Sequence, residues 1–84
     1  MQPIHELIKR IQYDSNFGKG NFVIGFYDRL EERIIRMPLR EIYFEPEGHF
    51  LFYFTDEEGI EHNVPFHRIK SVYKDDKLIW HRGH

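Results

Sequence analysis

One amphipathic helical stripe opens this chain, and no second one follows it. Ile4, Leu7, Ile8 and Ile11 fall at i, i+3, i+4 and i+7, leaving Glu6, Lys9 and Arg10 for the opposite face. Pro3 suits a first helical turn, and Tyr13-Asp14-Ser15-Asn16 with Gly18 and Gly20 stops the helix with residues that bond locally to backbone. A lone helix cannot bury its own stripe, so the rest of the chain must present an apolar sheet to it.

The remaining patterns are strands. In residues 21–28, Phe22, Ile24 and Phe26 share one face while Val23, Gly25 and Tyr27 share the other. Asp28-Arg29-Leu30-Glu31-Glu32 reads as a turn, and residues 33–39 as an extended segment that Pro38 confines to an edge or strand end. Residues 39–45 and 49–55 flank Pro46-Glu47-Gly48 and predict a hairpin; Phe50, Phe52 and Phe54 alternate with Leu51, Tyr53 and Thr55, so both faces are apolar and the strand should be central. Asp56-Glu57-Glu58-Gly59 turns into residues 60–64, and residues 69–74 and 78–82 flank Asp75-Asp76-Lys77 as a final hairpin. No internal repeat, linker or low-complexity tract stands out. The expectation is a single α+β domain over residues 1–84: an N-terminal helix packed on a curled, mostly antiparallel sheet of five or six short strands, with barrel-like closure left open.

Composition narrows the chemistry. Cysteine is absent from the 84 residues, which excludes disulfides, thiolate metal sites and Cys nucleophiles, so stability rests on packing. Aromatic residues make up 17% of the chain and supply that packing. A formal charge of -2 provides no global field for coating a polyanion, whereas a local basic pocket for one or two phosphates needs only a few well-placed groups. Lys9 and Arg10 interrupt the early apolar pattern, so neither a signal peptide nor a membrane span is expected, and a cytoplasmic location is.

The candidate site grows from Val64-Pro65-Phe66-His67-Arg68-Ile69. Pro65 ends an incoming strand, and Ile69, Val72 and Tyr73 return the chain to the core, which holds His67 and Arg68 at a rigid corner. The planar fork of arginine is the side chain best shaped for phosphate, and Arg29, Arg68 and Arg82 all stand at strand ends or corners, as Tyr27-Asp28-Arg29, Phe66-His67-Arg68 and Trp80-His81-Arg82. The alternative is that they are solvated terminal charges. His67 can serve as phosphate donor, acid/base or corner histidine bonded to backbone; His81 poses the same choice, while His5, His49, His62 and His84 read as surface residues. No metal-ligand spacing is present, so no metal or cofactor is assigned. Asp14 and Asp28 are candidate paired carboxylates, but at a helix end and a strand end local backbone bonds or arginine pairing are the commoner roles. Phe66 is a candidate base-stacking ring beside His67 and Arg68.

Taken in order, Tyr13-Asp14, Tyr27-Asp28-Arg29, Val64-Pro65-Phe66-His67-Arg68-Ile69 and Ile79-Trp80-His81-Arg82 resemble the RNA cyclic-group end recognition domain family over nearly the whole chain. Two positions depart from the pattern: Tyr13 stands where Trp is expected, and His81 where Asp is expected. The resemblance implies a non-enzymatic module that recognises RNA ends such as 2′,3′-cyclic phosphates, alone or beside an RNA-processing partner. By motif it points to Asp28, Arg29, His67, Arg68, Trp80 and Arg82. Two other readings fit the same residues: a small phosphoesterase with His67 as acid/base, and a protein-interaction adaptor.

Overall fold

The computed structural model describes residues 2–45 and 50–82. The expected helix is present as α1, Ile4–Tyr13, with Pro3 at its N-cap and Ile4, Leu7, Ile8 and Ile11 all buried. Seven strands follow: β1 (Phe22–Asp28), β2 (Arg33–Pro38), β3 (Tyr43–Phe44), β4 (Leu51–Thr55), β5 (Glu61–Pro65), β6 (Ile69–Lys74) and β7 (Lys77–His81). They form two antiparallel sheets, ordered β2-β1-β6-β7 and β3-β4-β5. The single curled sheet of five or six strands is therefore corrected to two sheets, with seven strands among the described residues, and no barrel closure is shown.

The chain changes sheet twice, at two corners that share a proline, an apolar residue after it and an isoleucine four positions on. Pro38-Leu39-Arg40-Glu41-Ile42 joins β2 to β3, and Pro65-Phe66-His67-Arg68-Ile69 joins β5 to β6. At each corner the proline is extended, with φ -60° and ψ 139° at Pro38 and φ -65° and ψ 144° at Pro65. A single 3-10 turn follows, closed by the isoleucine N–H onto the carbonyl of Leu39 or Phe66. Leu39 and Phe66 point the turn into the shared core. The expected strand over residues 39–45 consequently shrinks to Tyr43–Phe44, because its first residues are spent on the corner.

Phe26 on β1 meets Phe52 edge-on at 5.3 Å and Phe54 at 5.6 Å, so the two sheets share one core with the helix stripe. Trp80 is 6% exposed and donates its indole N–H to the carbonyl of Gln2 at 2.8 Å, tying β7 to the start of α1. Strand β4 is central in its sheet as expected, but only one of its faces is covered: Phe52 is buried and Leu51 exposed. The final hairpin turns through Asp75 and Asp76, both at positive φ, as a two-residue hairpin loop requires. The expected turn at Pro46-Glu47-Gly48 lies outside the described residues.

Candidate RNA-end site

The turn after β1 presents Arg29. Asp28 Oδ1 accepts the backbone N–H of Leu30 at 2.9 Å, a local turn that fixes the backbone on both sides of Arg29. The corner after β5 presents Arg68, half-buried. These two arginines, 39 positions apart in sequence, line one cleft of about 130 Å³ together with Asp28, Phe54, His62 and Asn63. Two of the three expected arginines therefore line the same cleft.

Arg82 does not line that cleft. Its Nε donates to the carbonyl of Ile69 at 3.1 Å and its guanidinium reaches the carbonyl of Phe66 at 3.5 Å, so it holds the corner that carries Arg68. His67 is exposed on that corner, outside the cleft lining and without a hydrogen-bond partner among the described residues. The expected base-stacking ring is not available: Phe66 is 6% exposed, with its ring against Phe44 at 5.9 Å and Phe52 at 6.4 Å. Trp80 is likewise a core residue, with the Arg82 guanidinium 5.2 Å from its ring centroid. His81 is exposed on β7, opposite Ser71 of β6.

Asp14 lies at the helix end, and its local role prevails over pairing with Asp28. Its Oδ1 accepts the N–H groups of Asn16 at 3.0 Å and Phe17 at 3.1 Å, with Arg10 4.0 Å from Oδ2. Those contacts, the Phe17 N–H foremost, lower its pKa from the ordinary value.

The residue that the sequence reading passed over is His62. The β4–β5 hairpin pairs Phe54 with His62, and the imidazole stacks on the Phe54 ring at 4.9 Å with 12° between planes. Its Nε2 lies 2.7 Å from Asp56 Oδ2. That hydrogen bond, followed by the Ile60 N–H onto the same carboxyl, lowers the pKa of Asp56. The signal was the register of the hairpin: a turn at 56–59 with Thr55 opposite Glu61 brings residues 56 and 62 together. His62 forms part of the wall between the arginine cleft and a second cavity of about 360 Å³, which gathers the carboxylates of Asp28, Glu31, Glu41, Asp56 and Glu57 over the apolar side chains of Ile35 and Met37. Among the described residues no three His, Cys, Asp or Glu side chains converge as a metal site.

The arrangement is a small cleft lined by Arg29, Arg68 and the Asp56-held His62, sharing residues with a larger cavity rich in carboxylates. Two arginines lining so small a cleft suit one tetrahedral anion better than a bulky base. No curated protein and no solved structure gave a significant match to the chain. The family profile described as MJ1316 RNA cyclic group end recognition domain, by contrast, matches residues 1–82. The chain thus belongs to the MJ1316 RNA cyclic group end recognition domain family.

Proposed function

We propose that the protein is a non-enzymatic module that binds the phosphorylated end of an RNA, a 2′,3′-cyclic phosphate or other terminal phosphate, between Arg29 and Arg68, in RNA processing or repair. One observation carries this reading: two arginines from opposite halves of the chain line a single cleft of about 130 Å³. Family membership supports the RNA-end assignment. Asp28 sets the Arg29 turn, Arg82 sets the Arg68 corner, and His62 adds a ring nitrogen held by Asp56. Charge-assisted donors of this kind are the strongest hydrogen bonds available for holding phosphate.

Short RNAs of one sequence ending in cyclic phosphate, 3′-phosphate or hydroxyl test the proposal by titration. The phosphorylated ends should bind at least roughly tenfold more tightly, since hydrogen bonds to charged groups contribute about 1.5–3 kcal/mol. Equal affinity for all three would overturn it.

A second reading draws on the Asp56–His62 pair. An imidazole oriented by a carboxylate beside two arginines is the arrangement of a general base at a phosphodiester. His62 would accept the proton of water as its oxygen attacks phosphorus, the P–O2′ bond would break, and the proton would pass to the leaving oxygen to give a 3′-phosphate. This moves the acid/base role from His67 to His62. Release of 3′-phosphate from a 2′,3′-cyclic nucleotide, abolished in His62→Gln, would establish the enzymatic reading; no release from the wild-type chain would dismiss it.

A further inference from the structure

The four-stranded sheet has one face in the core and one in solvent. Phe22, Ile24, Phe26, Val72 and Trp80 turn inward. Across the outward side, cross-strand register aligns Arg36 of β2, Gly25 of β1, Ser71 of β6 and His81 of β7 in one row. Strand spacing makes that row about 14 Å long. Adjacent rows place Val23 beside Tyr73 and Tyr27 beside Ile34.

At its centre Gly25 is buried, with Ser71 Oγ and the Ile34 side chain closing over it. Gly25 has no side chain, and a Cβ there would collide with Ser71 Oγ. Arg36 of β2 reaches past β1 to Tyr73 of β6: its guanidinium donates to Tyr73 Oη at 2.9 Å and lies 4.6 Å from the ring centroid. The result is an exposed guanidinium plane seated on a tyrosine ring. Bases of single-stranded RNA stack on both kinds of surface.

Charge supports the same occupant. The protein carries 14 acidic residues, yet none occupies the aligned outward positions of this sheet, where Arg36 and His81 stand. Five of them, Asp28, Glu31, Glu41, Asp56 and Glu57, line the 360 Å³ cavity that shares Asp28 and His62 with the arginine cleft. A phosphate chain leaving the cleft is repelled from that cavity. Tyr27 provides the other exit, because it lines the arginine cleft and also belongs to the outward row beside Ile34.

We propose that the solvent face of the four-stranded sheet, built on the Arg36–Tyr73 pair and reached from the cleft over Tyr27, is a second binding site that carries the nucleotides preceding an RNA end. This rests on the terminal-phosphate reading only for its direction. The stacking itself requires no terminal phosphate.

The experiment uses that independence. Affinity is measured for hydroxyl-ended oligoribonucleotides of roughly one to six nucleotides, a range that spans a small stacking platform, and separately for a cyclic-phosphate mononucleotide. Affinity for the hydroxyl-ended series should rise with length. Arg36→Ala should lower binding of the longest member by about tenfold, as expected for loss of one stacked base worth roughly 1–3 kcal/mol, and leave the mononucleotide unchanged. Tyr73→Phe, which keeps the ring and removes the Oη acceptor, should give a smaller loss in the same direction. A flat length series overturns the proposal, as does an Arg36→Ala variant that binds the longest RNA like wild type or weakens the mononucleotide equally. Self-association abolished by Arg36→Ala, with no length dependence, would assign the face to a second copy of the chain. Absence of mononucleotide binding alongside a rising length series would refute the terminal-phosphate reading while leaving the sheet site standing.

Discussion

Arg82 donates from Nε to the carbonyl of Ile69 at 3.1 Å while reaching the carbonyl of Phe66, so the last described residue of the chain clamps the corner between β5 and β6. Arg82 thus positions Arg68 from behind. Replacement by Ala removes charge-assisted bonds to two carbonyls and should cost about 1 kcal/mol for this partly exposed group, lowering Tm by roughly 4–8 °C in a domain of this size. Thermal melts of Arg82→Ala and Arg82→Lys, with Lys recovering part of the loss, check this. A variant that melts like wild type but no longer binds a terminal phosphate would instead place Arg82 on the ligand.

Arg29 and Arg68 share a cleft and His67 does not. Arg29→Ala and Arg68→Ala should each weaken binding of a phosphate-ended RNA by roughly tenfold or more. Arg29 is exposed, and its loss should leave stability within about 0.5 kcal/mol. His67→Gln should change neither quantity. Titrations with a cyclic-phosphate mononucleotide discriminate the three variants; a loss confined to His67→Gln would return the site to the corner's outer surface.

Asp56 couples the stability of the β4–β5 hairpin to pH. Its carboxyl titrates near 3.8 when unfolded and lower when folded, with the His62 hydrogen bond as the leading cause. The unfolded chain therefore binds the proton more readily. The stabilisation is complete above the unfolded value and is lost as pH falls through the lower folded value. Asp56→Asn retains an oxygen for the backbone N–H groups of Glu58 and Ile60 but loses the charged partner of His62. Denaturation midpoints of wild type and Asp56→Asn should differ most near neutral pH and converge in acid. Parallel curves across that range would show that the pair contributes nothing.

The helix and most strands could be read from side-chain periodicity, because burial on one face imposes it directly: Ile4, Leu7, Ile8 and Ile11, then Phe22, Ile24 and Phe26. Pro65 also marked its corner, since proline both ends a strand and sets the entry to a 3-10 turn. The division into two sheets escaped because it depends on Pro38 and Pro65 performing the same sheet change, and on a two-residue strand, Tyr43–Phe44, too short to show alternation. Within the candidate site, Arg29 and Arg68 were legible from their strand-end positions. The stacking role of Phe66 fails because an aromatic residue at a strand end carries no local sign of which way it points. His62 was missed since its partner comes from hairpin register rather than from any motif.

Phe66 separates an internal role from a base-stacking one. Its ring packs at 73° to Phe44, and its N–H donates to the carbonyl of Phe50 at 2.6 Å, so both side chain and backbone are committed to the interior side of the corner. Truncation to Ala should cost about 3–5 kcal/mol, a large share of the roughly 5–15 kcal/mol total of a small domain, and that variant is expected to populate unfolded chains. Phe66→Leu keeps an apolar side chain in the same space at a cost on the order of 1–2 kcal/mol, so the domain stays folded while the aromatic ring is gone. Affinity of Phe66→Leu for a phosphate-ended RNA should then equal that of wild type, because the ring faces Phe44 and Phe52 rather than the cleft. A drop of tenfold in a variant that circular dichroism shows to be folded would mean that the corner opens on binding and delivers Phe66 to the terminal base.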